Sequence, residues 1–196
     1  MAVHVSALTG RELNAALPEV ARLRIEVFRA YPYLYDGTLE YEEKYLTALT
    51  QSKDSIVVAA QDDGRVIGCS TGAALAGHHG EFAEPFLARG MNISEIFYCS
   101  ESVLSPDYRG QGLGHAFFDR REAHAKRLGY RICTFSSVVR PSGHPLKPSN
   151  YRPLDEFWTK RGYTKAEGLT ASFRWKDIDR PGETDHLMQF WLRELN

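Results

Sequence analysis

Along this 196-residue chain, short apolar runs bounded by polar turns alternate with stretches in which apolar positions recur every three or four residues. Residues 3–8 predict a short first strand, and Thr9-Gly10-Arg11-Glu12 then shows the Thr-x-x-Glu pattern that opens a helix with a capping box. Pro18 predicts a restart, after which Val20, Leu23, Val27 and Phe28 line one helical face. An aromatic turn, Tyr31-Pro32-Tyr33-Leu34-Tyr35-Asp36-Gly37, leads into a second helix over about 39–49. Residues 55–60 and 66–73 flank Asp62-Asp63-Gly64-Arg65, a strong hairpin signal. Residues 74–90 read as a loop.

Residues 93–104 carry apolar side chains on both faces, as a central strand covered on both sides would. From Gly112 to about Leu128 the pattern predicts a helix with Leu113, Ala116, Phe117, His124 and Leu128 inside and Asp119, Glu122, Lys126 and Arg127 outside. Residues 130–138 predict the next strand, parallel to the central one if the crossover is right-handed. Residues 140–153 contain four prolines and read as an ordered loop, 154–161 as a short helix ending at Gly162, and 169–175 and 186–195 as two last strands. The last of these is apolar on both faces, which suits either burial or pairing across a homodimer. The order of elements is that of an α/β chain with one mixed sheet, in a single domain over 1–196.

Composition narrows the classes. Twenty-four basic and 25 acidic residues give a formal charge of -1, so no global field draws the chain to nucleic acid or to an anionic membrane. Cys69, Cys99 and Cys133 form no CxxC pair, which disfavours a disulfide framework or zinc, and the adjacent His78 and His79 lack helical metal-ligand spacing. With no signal-peptide pattern and no membrane-length apolar run, the expected compartment is the cytoplasm.

The most informative stretch is Ser105-Pro106-Asp107-Tyr108-Arg109-Gly110-Gln111-Gly112-Leu113-Gly114, between the central strand and its helix. Glycines at alternate positions let successive N–H groups turn toward one point, and the helix N-terminus adds its own unpaired donors. An anion fits there, with Arg109 at the lip as a bidentate donor. Each hydrogen bond to a charged group contributes roughly 1.5–3 kcal/mol against about 0.3–1 kcal/mol from the helix dipole, so the glycines matter more than the dipole. The spacing is neither that of a P-loop nor that of a dinucleotide fingerprint.

From Val103 to Gly114 this run resembles motif A of the GNAT superfamily of N-acetyltransferases, and Phe157-Trp158-Thr159-Lys160-Arg161-Gly162-Tyr163 resembles motif B. The resemblance covers nearly the whole chain. It implies a central, mostly antiparallel mixed sheet flanked by helices, with acetyl-CoA as cosubstrate and no metal. It also implies that the cofactor is held by Ser102, Val103, Leu104, Arg109, Gly110, Gln111, Gly112, Leu113, Gly114, His115 and Trp158. The chemistry implied is direct transfer of an acetyl or short acyl group to a primary amine of a small molecule or peptide. A protonated amine has no lone pair, so attack needs a base, and carboxylates on the central strand are natural candidates. Glu101 is favoured and Glu95 follows; six apart, they share a face if the strand is regular. Where the family commonly places a tyrosine near the cofactor sulfur this chain has Trp158, whose indole gives up no proton at neutral pH. Tyr151 and Tyr163 are the replacement acids considered. Cys99 reads as core, and Arg120, Arg121 and Lys126 as surface charge. The substitution at Trp158 also keeps open a non-catalytic acyl-CoA-binding sensor, and a nucleotide-dependent enzyme is the third reading.

Overall fold

The structure is a computed structural model that describes residues 3–78 and 80–196. Its elements follow the chain as β1 (His4–Ala7), α1 (Gly10–Phe28), α2 (Leu39–Gln51), β2 (Ile56–Asp62), β3 (Arg65–Ala74), α3 (Gly80–Ala88), β4 (Ile96–Leu104), α4 (Leu113–Arg127), β5 (Ile132–Val138), α5 (Asp155–Lys160), β6 (Thr164–Lys176) and β7 (Glu183–Glu194). The seven strands form one sheet in the order β1-β2-β3-β4-β5-β7-β6, and only β4 and β5 run parallel. Helices α1 and α2 cover one face through Val20, Leu23, Leu46 and Leu49 against Val57, Cys69 and Val103. On the other face, α4 packs Leu113, Phe117 and Ala125 on Val58, Ile67, Phe97 and Cys133. A fully buried side chain such as Phe117 contributes about 1.5–3 kcal/mol.

The β2–β3 hairpin turns at Asp63 (φ 48°) and Gly64 (φ 79°), the two left-handed residues of a tight hairpin loop. Other expectations are corrected. Helix α1 runs unbroken through Pro18, because Ala16, Val20, Ala21 and Leu23 continue one buried face across it and packing outweighs a lost backbone bond. Thr9 holds the N-cap position, but its side chain makes no capping bond. Within the stretch read as a loop, residues 80–88 form α3, which buries Ala83 and Phe86. Residues Ile93–Glu95 make a 3₁₀ turn, so the central strand begins at Ile96. Strand β7 lies between β5 and β6, and with both edges used it does not pair with a second copy.

Helix α4 departs most from its expected face. Arg121 and Glu122 are buried, whereas Leu128 is exposed. Glu122 joins the far end of the sheet: its Oε2 accepts from Arg161 at 2.8 Å and Arg193 at 2.7 Å, and its Oε1 from the Tyr163 hydroxyl at 3.0 Å. Arg121 passes under the central strand, where Ala73 faces Tyr98 but Thr71 faces Glu101, so β4 carries one extra residue between these pairs. The Arg121 guanidinium donates to the carbonyls of Thr71 at 3.2 Å and Glu101 at 2.9 Å, which fastens the bulge from below.

Replacing Arg121 with Met keeps most of the volume but leaves both carbonyls without their donor, at about 1–3 kcal/mol each. At about 2–4 °C per kcal/mol for a chain of this size, Arg121→Met is expected to lower Tm by roughly 4 °C or more. A thermal melt by circular dichroism checks this, and an unchanged Tm would show that the bulge does not depend on Arg121.

Candidate active site

Strand β4 delivers the chain into the glycine loop. Ser105 N–H donates to Ile67 O at 2.9 Å and the Tyr108 hydroxyl to Asp62 Oδ2 at 2.7 Å, so the loop is tied to the β2–β3 hairpin on its outer side. Gly110 (φ 76°) and Gly112 (φ 80°) both adopt the left-handed conformation that favours glycine, and α4 starts directly after them. A Cβ at either position would meet no atom within 4 Å, so the loop is open on that side. Among the described residues, no protein group accepts from the N–H groups of Gly110, Gln111, Gly112, Leu113, Gly114 or His115. The last three are first-turn donors that no helix satisfies internally. Arg109 and Gln111 rest their side chains on Leu104 O at 3.5 Å and Asp107 O at 3.4 Å, contacts weak enough to exchange for a ligand. His115 is exposed, with its ring 4.8 Å from that of Phe157, which also packs against Gly114. These donors suit a diphosphate.

Strands β4 and β5 pair only at Ile96 with Ile132, Phe97 with Cys133 and Tyr98 with Thr134. Beyond Tyr98 they part, while β5 goes on pairing with β7 as far as Val138. The β5-facing edge of β4 from Ser100 to Leu104 is therefore left open toward the glycine loop, as an extended ligand arm requires. Val103 buries its side chain under α1 and α2, Leu104 packs toward α4, and Ser102 is exposed, so this edge offers chiefly backbone. Trp158 stands behind the wedge with its ring 5.0 Å from Phe135 and 5.2 Å from Trp191, as a wall of the site. Tyr163 is fully buried and donates to Glu122, which removes it as an acid for this wedge. Cys99 is buried as expected.

The bulge decides which carboxylate faces the site. Tyr98 and Glu101 lie opposite Ala73 and Thr71, two residues apart on β3, and so share a face; the expected parity of Glu95 with Glu101 does not hold. Glu101 points between α1 and α2, where Arg24 Nη1 lies 2.5 Å from its Oε1 and the Tyr45 hydroxyl donates to its Oε2 at 2.9 Å. Arg24 also holds the fully buried Glu42, so one guanidinium serves two carboxyl groups. Burial pulls the Arg24 pKa down, but Glu101, Tyr45 and Glu42 together raise it above its ordinary value, and it stays charged. Burial first, then Glu101 and Tyr151, push the Tyr33 phenol up to about 12, so it remains a proton donor. Glu95 sits at the other end of the strand, half exposed, with Arg131 at 3.7 Å. At no more than about 3.3 Å per residue, the six residue steps from Glu95 to Glu101 span at most roughly 20 Å.

Tyr151 joins this side from the proline-rich loop, its ring edge-on to Tyr31 at 4.7 Å, with its phenol raised by burial. The loop is anchored at its start by Arg140, which binds Asp177 through both terminal nitrogens (2.6 and 2.9 Å) and donates to Pro32 O at 2.7 Å and Tyr33 O at 2.6 Å. Sequence reasoning missed Arg24, Tyr45, Arg140 and Asp177 as parts of the site. Arg24 follows Val20 by one helical turn on the buried face, the one local sign that its charge points inward. His78 of the adjacent histidine pair was also passed over: its Nε2 lies 3.3 Å from Ser100 Oγ, while His79 lies outside the described residues. Among the described residues, no group of three or more His, Cys, Asp or Glu is placed to hold a metal, and no helix is long and apolar enough to cross a membrane.

The family model described as acetyltransferase (GNAT) family matches residues 19–145, from the middle of α1 through the glycine loop to the proline-rich loop. Comparison with curated proteins gives no match. Among solved structures, the chain is similar to an N-acetyltransferase from Staphylococcus aureus Mu50 (15% identity, all of both chains covered, TM-score 0.63). It is also similar to a ribosomal-protein-alanine N-acetyltransferase from Brucella melitensis (12% identity, 98% of this chain and 99% of that one, TM-score 0.64). A Salmonella typhimurium structure that contains its cofactor acetyl-CoA aligns with TM-score 0.62 at 12% identity, over all of this chain and 95% of that one. At these identities the structures speak for the fold, and the family match speaks for the activity class: this chain belongs to the GNAT acetyltransferase family, whose members are acyltransferases.

Proposed function

We propose that the protein transfers an acetyl or short acyl group directly from its coenzyme A thioester to a primary amine of a small molecule or peptide. The observation that carries the reading is the continuity of the outward N–H groups of residues 110–115 with the open edge of β4. The diphosphate is assigned to Gly110, Gln111, Gly112, Leu113, Gly114 and His115 with Arg109 closing over it, and the extended arm to Ser102, Val103 and Leu104, with Trp158 as a wall. Acetyl-CoA supplies an activated carbonyl at the wedge between β4 and β5.

The acceptor's class follows from charge. The Glu101 side chain beside the wedge presents acceptor oxygens, which favours an ammonium over an anionic acceptor. The Glu101 lone pairs already serve Arg24 and Tyr45, so we assign it the attraction and orientation of the incoming amine. Tyr151, Tyr31 and the Arg140-anchored loop form the acceptor-side wall. The non-catalytic sensor has no observation in its favour beyond Trp158, which packs as a wall.

Incubation with acetyl-CoA and a panel of amines, followed by free thiol, tests the reading: thiol release that depends on the amine is expected, and cofactor binding without turnover would select the sensor. Gly112→Ala places a side chain at φ 80°, at a cost of about 1–2 kcal/mol besides disturbed N–H contacts. Its coenzyme A affinity, by calorimetry on the folded variant, is expected to fall by roughly tenfold or more, and unchanged affinity would contradict the diphosphate site. Deletion of residues 142–147 is expected to change amine selectivity and leave coenzyme A affinity near normal. Equal losses in both would reject the loop's acceptor-side role.

A further inference from the structure

With Glu101 engaged by Arg24 and Tyr45, the acceptor's proton needs another destination, and the β4 bulge presents one. Ser100 is two residues past Tyr98, the last β4 residue paired with β5, and so sits at the apex of the wedge. His78 ends the turn after β3. Its Nδ1 lies 3.0 Å from Ala74 O and its Nε2 3.3 Å from Ser100 Oγ. A carbonyl oxygen only accepts, so Nδ1 carries the ring proton, and in the neutral imidazole Nε2 is the lone-pair nitrogen, aimed at the serine hydroxyl. The ring is further held edge-on against Tyr98 at 4.9 Å and tilted against Phe82 of α3 at 5.4 Å. These contacts fix its orientation toward Ser100.

We propose that Ser100 and His78 form the proton relay of the transfer reaction, an inference that rests on the acetyltransferase reading above. Once the incoming ammonium has released one proton to solvent, the neutral amine nitrogen bonds to the thioester carbonyl carbon and a second N–H proton passes to Ser100 Oγ. The serine's own proton moves to His78 Nε2, giving an imidazolium. When the carbon–sulfur bond breaks, the electron pair leaves on sulfur, and the proton returns through Ser100 to the thiolate. The amine's proton ends on the coenzyme A thiol, no other reactant is consumed, and one relay acts as both base and acid where Trp158 supplies neither. Of the groups around the ring, Tyr98 on β4 carries a phenol raised by burial and hydrogen-bonded with Ser136 of β5 at 2.9 Å. Beyond Tyr98 lie Tyr33 and Glu101, while α3 presents the apolar Phe82. A carboxylate that draws the amine and an imidazole that takes its proton are thereby separate groups.

The test is the pH dependence of kcat with acetyl-CoA and an amine that the wild type turns over. His78→Gln keeps a hydrogen-bonding side chain but no basic nitrogen. It is expected to lower kcat about 100-fold, to leave the acetyl-CoA KM within about twofold, and to abolish the acidic limb of the kcat profile. Ser100→Ala is expected to do the same, and Ser100→Thr, which restores the hydroxyl, to recover most of the rate. Glu101→Gln is expected to raise the amine KM while the acidic limb persists. An acidic limb that survives in His78→Gln and vanishes in Glu101→Gln would overturn the relay and leave the acetyltransferase standing. A wild type that binds acetyl-CoA yet turns over no amine would overturn the acetyltransferase reading and the relay together. Nitrogen-15 NMR of the histidines at pH 8, assigned by loss of a signal in His78→Gln, adds a readout without turnover. The proton is expected on Nδ1, and a proton on Nε2 would overturn the relay by itself.

Discussion

One buried cation sets the geometry from which the site follows. Arg121, brought under the sheet by α4, hydrogen-bonds the carbonyls of Thr71 and Glu101 across the β3–β4 ladder where β4 carries its extra residue. An extra residue turns the strand, reverses its side-chain parity and ends its pairing with β5 at Tyr98. Three features of the candidate site use that turn. The open edge of β4 exists because β5 is no longer alongside, Glu101 reaches Arg24 because the parity has slipped, and Ser100 comes to the apex beside His78.

A helix that carries this much polar load needs its own anchors. Glu122, next in sequence to Arg121, gathers Arg161, Arg193 and Tyr163 from α5 to β7. Buried ion pairs repay their desolvation only when well satisfied, and losing one member of such a set costs about 3–5 kcal/mol. Helix α4 is thus fixed at its middle to both halves of the sheet, while its N-terminus stays free to offer donors to a ligand. On the other face, Arg24 with Glu42 and Glu101 ties α1 and α2 to the bulge, so the proposed acceptor side rests on the same bulge as the proposed thioester side.

The glycine loop, the hairpin at Asp63-Gly64 and the order of elements apart from α3 were legible in the sequence, because each depends on local backbone preference or hydrophobic period. What was not legible depends on distant partners. Arg121 and Glu122 look like the polar face of an amphipathic helix, and nothing nearby in sequence shows that a bulged strand and three residues from α5 to β7 will neutralise them. Pro18 looks like a break until the buried face on both sides of it is seen to be continuous. Glu101 was preferred over Glu95 for its position along β4, but the face it takes depends on an inserted residue that leaves no sequence signature. His78 was unreadable for the same reason: its neighbour Ser100 is 22 positions away, on a different element.

The central claim is that the loop amides and the open edge of β4 form one coenzyme A site. Amide hydrogen exchange of the full chain, measured with and without saturating coenzyme A, tests it most directly, because bound amides gain protection locally. The account predicts protection confined largely to residues 100–104 and 110–115. Protection elsewhere, with exchange in these two segments unchanged by the cofactor, would contradict it.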